Sequence, residues 1–101
     1  MMTQTETAHN VVEECAAFFS VPSSDVVNIL RGPAAISSAR DAAALVLRWR
    51  HGMRFQDIAL HLGRADHSAA HVAVKRAAER LPFRRLIAPL LVGTKPTRKT
   101  L

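Results

Sequence analysis

No stretch of this chain alternates apolar and polar residues with period two for any length. Half-buried strands therefore have no segment to be made from. Apolar residues recur instead at helical spacing, in segments separated by proline and glycine. The strongest segment is ISSARDAAALVLRWRHG, Ile36 to Gly52. Alanine and leucine favour the helix, Ser37 or Ser38 is placed to cap it, and Gly52 is placed to close it. Ala39, Ala42, Ala43, Val46 and Trp49 fall on one inner stripe, with Trp49 as a core anchor. Arg40, Arg48 and Arg50 fall outside that stripe or at its edge.

The other segments follow the same logic. Val11, Val12, Cys15, Ala16 and Phe19 repeat at helical spacing. Asn10 stands as N-cap, Glu13 occupies the capping-box position, and Pro22 ends the run. SSDVVNILRG reads as a short helix capped by Ser23 or Ser24 and stopped at Gly32 and Pro33, with Val26, Val27 and Leu30 as its apolar face. Phe55, Ile58, Ala59 and Leu62 follow the i, i+3, i+4, i+7 pattern up to Gly63. After a three-residue turn, Asp66 caps a helix whose Ala70, Ala73, Val74, Ala77 and Leu81 face inward. Pro82 breaks the chain before a last short helix in FRRLIAPLLVG, whose Phe83, Leu86, Ile87 and Leu90 cover the core. The expected fold is all-α, with five to six helices over residues 10–93, a flexible start at 1–9 and a basic, disordered tail at 94–101. No internal repeat is visible.

The 101 residues suffice for one domain, and 49% are apolar, enough for one core without staples. Cys15 is the single cysteine. It reads as a buried structural thiol and suits a reducing cytoplasm. The first ten residues lack the basic end and apolar run of a signal peptide. No apolar stretch reaches the roughly 18 residues of a membrane span. The net charge is +6, and its distribution says more than its size. Residues 1–30 contain Glu6, Glu13, Glu14 and Asp25 and no lysine or arginine, whereas all 14 basic residues lie beyond them. Such a basic part favours a polyanion partner, nucleic acid ahead of a membrane surface.

FQDIALHL, the turn GRA and DHSAAHVAVKRAAERL together describe a helix-turn-helix. The second helix of that motif enters a major groove about 12 Å wide. Small polar residues at its first turn let the backbone approach base edges, and basic residues further along reach phosphates. Asp66 can accept from a cytosine amino group, His67 and His71 can donate or accept, Ser68 can bond a base or a phosphate, and Ala69 offers a methyl surface to thymine. Lys75 and Arg76 suit phosphates.

The same residues resemble the C-terminal DNA-binding domain of the bacterial replication initiator DnaA. That domain carries a signature close to G-G-R-D-H-T-T-V-x-H-A-x-[RK]-[RK]-I, and this chain reads GRADHSAAHVAVKRA from Gly63. VVEECAAFFSVPSSDVVN and SSARDAAALVLRWRHGMRFQDIALHLG resemble the earlier parts of the domain, without gaps over roughly residues 11–80. The resemblance implies base contacts by Asp66, His67 and Ser68. It implies phosphate contacts by Arg48, Phe55 and Gln56, and a basic role for Lys75. Arg31 and Arg40 stand where the initiators carry an arginine-rich loop, and Arg64 precedes the position of the signature arginine.

The departures are specific. Ala65 stands at that arginine, Ala69 at the second threonine and Val72 at the helix histidine. His71 lies one position earlier, turned about 100° around the axis. These changes argue against the initiator's usual box as the target. No G-x-x-x-x-G-K-[ST] loop is present, so the chain reads as a free-standing domain or the N-terminal piece of a longer regulator. A cytoplasmic, nucleoid-associated transcription factor, phage origin included, fits best.

Other readings are weaker. His67 and His71 have the i, i+4 spacing of two ligands, but the glutamate of H-E-x-x-H is missing, and no metal or cofactor is expected. No nucleophile, base and orienter form a set, so no enzyme is expected. The rival is a protein adaptor. It would dock the transcription machinery or another protein through the acidic N-terminal helices or the C-terminal apolar helix.

Overall fold

The computed structural model describes residues 3–28, 32–64 and 66–92. Every regular element among them is helical: α1 (Gln4–Phe18), α2 (Ser23–Asn28), α3 (Ala34–Trp49), α4 (Phe55–His61), α5 (His67–Glu79), α6 (Leu81–Leu86) and α7 (Ala88–Val92). The all-α expectation holds, with seven helices among the described residues where five or six were expected. The surplus arises at the C-terminal end. There, Pro89 cannot donate to a continuing ladder, and the single helix expected over FRRLIAPLLVG is divided at Ile87.

The axis of the molecule is α3. Nine consecutive residues, Ala39 to Leu47, are buried, so this helix has no outer face along its middle. It packs against α1, α2, α4, α5 and α7. Its four alanines in that stretch explain how so many neighbours fit around one cylinder. The expected single inner stripe is thus corrected to burial all round. The helix starts at Ala34, with Pro33 as its N-cap and no side-chain cap bond, so neither Ser37 nor Ser38 caps it. Arg40, expected outside or at the edge, is buried, and its Nε donates to the Val26 carbonyl at 2.9 Å. That carbonyl lies in the last turn of α2, where intrahelical donors run out and a cation is favourable. Trp49, expected as a core anchor, lies just beyond the buried stretch and is half exposed.

At the N-terminal end, the helix begins six residues earlier than Asn10. Thr3 caps α1: its side chain accepts from the Glu6 N–H at 3.1 Å, and the Glu6 carboxylate accepts from the Thr3 N–H at 2.9 Å. Residues 4–9, expected as a flexible lead, are therefore helical. Ala8 is buried, and Gln4 bonds both Asp57 and His61 of α4. The end of α1 is set by Ser20, with φ +59°, rather than by Pro22. The Ser20 N–H donates to Ala17 O and the Val21 N–H to Ala16 O, the paired bonds of a Schellman ending. Phe19 then stacks on Phe83, which fastens α6 to α1. Phe83, Ile87 and Leu90 cover the core as expected, while Leu81 and Leu86 are exposed.

Candidate nucleic-acid interface

The link between α4 and α5 is a tight one. Gly63 adopts φ +68°, the Gly63 N–H donates to Leu60 O, and the Arg64 N–H donates to Ala59 O at 2.8 Å. These two bonds satisfy carbonyls left over at the end of α4. A side chain at position 63 would place its Cβ 2.4 Å from the Val27 carbonyl oxygen. Glycine is therefore required twice, by the backbone angle and by the closeness of α2. Asp66 then caps α5 as the sequence indicates. Its Oδ1 accepts from the Ser68 N–H at 3.0 Å and from the Ala69 N–H at 3.3 Å.

Helix α5 lies on α3 through Ala70, Ala73, Val74 and Ala77, all buried. Leu81 falls outside that face because α5 ends at Glu79 and the chain turns at Arg80. The residues opposite the buried face divide into two rows. His67, His71 and Lys75 succeed one another at i, i+4 and form the first, all exposed. Ser68, Val72 and Arg76 form the second, also exposed, with Ala69 partly buried beside it.

The first row meets α3 and α4. The His71 ring lies edge-on to Phe55 with centroids 4.9 Å apart, and the Arg48 guanidinium carbon sits 4.3 Å from the Phe55 centroid. Arg48 also donates to the Met53 carbonyl at 3.0 Å, which fixes the guanidinium over the ring. Gln56 is exposed on the first turn of α4. Arg48, Phe55 and His71, drawn from three helices, thus meet at one point, with Gln56 next to Phe55 in α4 and Lys75 one turn beyond His71 in α5. Lys75 is 3.5 Å from Glu79, an exposed i, i+4 pair that contributes little and is readily exchanged.

The second row faces α3 across a groove of about 400 Å3 whose lining includes Ser37, Arg40, Asp41, Arg64, Ser68 and Arg76. Here two expected phosphate ligands are already committed. Arg40 is buried against α2, and burial and the nearby Arg64 both disfavour its charge. A buried guanidinium cannot reach a phosphate, so that expectation is corrected. Arg76 makes two 2.9 Å bonds to the carboxylate of Asp41, which is almost wholly buried. This fork raises the Arg76 pKa above its ordinary value. Arg76 is half exposed, but its first duty is to neutralise Asp41. Arg64 folds back so that its Nε donates to Leu62 O at 3.4 Å, and its Nη2 is buried with no partner among the described residues. Arg31 lies outside the described residues.

Sequence reasoning missed the Asp41–Arg76 fork and the Arg48–Phe55–His71 stack. Neither has a local signal, since the partners stand 35 and 16 positions apart. The Thr3–Glu6 cap did have one, because T-x-x-E is the capping-box pattern itself. His67 and His71 share a face, and no group of three or more His, Cys, Asp or Glu that could hold a metal occurs among the described residues. No helix among the described residues is long and apolar enough to cross a membrane. Comparison with protein-family models, with curated proteins and with solved structures finds no match.

Proposed function

We propose that this chain is a sequence-specific double-stranded DNA-binding domain of the helix-turn-helix type, similar in plan to the domain of the initiator it resembles. It acts as a transcriptional regulator at the bacterial nucleoid. In this reading α4 braces, Gly63 sets the turn, and the first turns of α5 enter the major groove. One observation carries the reading: the outward face of α5 is a continuous exposed row of His67, His71 and Lys75, with Ser68 beside its start.

Within this proposal the roles divide as follows. His67 and Ser68, at the capped first turn, are the base readers. Asp66 holds the turn with Oδ1, so its part is chiefly to orient the readers. His71 supports them from its edge contact with Phe55, and Ala69 presents its methyl group. Lys75, at the far end of this row, meets phosphates together with Arg48 and Gln56. Arg76, paired with Asp41, is left out of the phosphate contacts.

Fluorescence anisotropy with labelled duplexes tests these roles. Lys75→Ala is expected to weaken binding to all sequences alike and to reduce the salt slope by about one. His67→Ala is expected to cost about 1–3 kcal/mol on the preferred sequence and little on random DNA. Equal losses on both kinds of DNA from both variants would refute the assignment.

A further inference from the structure

The α6–α7 corner carries a feature that DNA reading does not use. The C-terminal end of α3 and helices α6 and α7 enclose an open groove of about 540 Å3. Trp49, Leu81, Leu91 and Val92 line it, and Arg84 and Arg85 stand on its rim. Trp49 is 52% exposed, Leu81 41% and Val92 76%. Large apolar side chains gathered on one surface of a small chain mark a contact site. The single tryptophan among them is the residue type most often found as an anchor at such sites.

The charge around the groove selects its occupant. Arg84 donates to the Ala78 carbonyl at 3.2 Å, and among the described residues no carboxylate pairs with Arg84 or Arg85. A second copy seated here by two-fold symmetry would bring two pairs of arginines together, which is unfavourable. A flat lipid surface fits a concave groove less well than a ridge of side chains does. We propose that this groove docks an acidic, amphipathic helix of a partner protein, whose apolar side chains meet Trp49, Leu81 and Leu91 and whose carboxylates meet Arg84 and Arg85.

The groove contains the chain's only tryptophan, which makes the test direct. Two synthetic amphipathic peptides with identical apolar positions, one with glutamates and one with lysines on the polar face, are titrated against the full chain while Trp49 emission is followed. The glutamate peptide is expected to give a saturable blue shift, with an affinity about tenfold or more above that of the lysine peptide. Arg84→Glu with Arg85→Glu should reverse that preference. Because Arg84 also bonds Ala78, Arg85→Glu alone serves as the milder variant and should shrink the ratio. Four outcomes would overturn the proposal: no shift with the glutamate peptide, equal affinity for both peptides, a shift produced by protein concentration alone, or a larger shift with anionic phospholipid vesicles. Duplex DNA should leave Trp49 emission unchanged. A shift with DNA would assign this face to nucleic acid, whereas failure of the peptide arms leaves the α5 reading untouched.

Discussion

Gly52 and Gly63 offer a controlled experiment built into the fold. Both adopt left-handed backbone angles, φ +63° and +68°. An alanine at either site meets strain of about 1–2 kcal/mol, partly offset by the reduced freedom of the unfolded chain. They differ in surroundings. A Cβ at Gly52 has nothing within 4 Å, whereas one at Gly63 would lie 2.4 Å from the Val27 carbonyl oxygen. That oxygen is backbone and cannot swing aside, so α2 must shift by about 0.6 Å to restore even 3.0 Å. The shift disturbs the adjoining Arg40 bond to Val26 O. Overpacking of this kind costs about 1–3 kcal/mol beyond the backbone strain. Gly52→Ala should therefore lose about 1 kcal/mol and Gly63→Ala about 2–4 kcal/mol. In urea melts followed by circular dichroism at 222 nm, with a slope of about 1.5 kcal/mol/M, the midpoints should fall by about 0.7 M and roughly 1.3–2.7 M. Equal falls would show that the α2–turn contact carries no energy, and the account of how the turn is fixed would be wrong.

Other consequences follow from the buried groups. Arg76→Ala leaves the Asp41 carboxylate buried and unpaired and should cost about 2–3 kcal/mol, allowing for the half-exposed guanidinium. The double variant Asp41→Ala, Arg76→Ala should lose less than the two single losses combined, as read from a cycle of urea melts. Full additivity would remove the fork from the account. Burial pushes the Cys15 thiol up to about 12 from an ordinary 9.0. The folded state therefore favours the neutral thiol, and this contribution is present below pH 9 and lost as pH rises toward 12. Native protein should resist a thiol-specific reagent at pH 8 that modifies the urea-unfolded chain at once. Rapid native labelling would contradict the burial.

Much of this architecture is legible locally. The helical periods, the Asp66 cap, the left-handed glycines and the buried row Ala70, Ala73, Val74 and Ala77 are set by residues within a turn or two of each other. What the sequence concealed depends on partners far along the chain. Arg40 looks like a surface arginine on a helical wheel, and only the arrival of α2 makes it a buried cap. Trp49 has the right spacing for the core, yet the neighbours that bury Ala39 to Leu47 leave it half exposed. On the candidate interface the order of exposed residues along α5 was readable. The division of labour was not, because Asp41 removes Arg76 from the free cations and Phe55 gathers Arg48 and His71 from separate helices.

The central claim is that α5 reads a particular DNA sequence, and selection from a pool of random duplexes tests it most directly. At about 150 mM salt, successive rounds with the full chain should enrich one short motif, and affinity for it should exceed that for random duplex by about 10³-fold or more. His67→Ala should flatten that motif at one or two positions. A pool that stays random after repeated rounds, or one whose binding vanishes uniformly as salt rises, would contradict sequence-specific recognition and reduce the basic surface to a non-specific one.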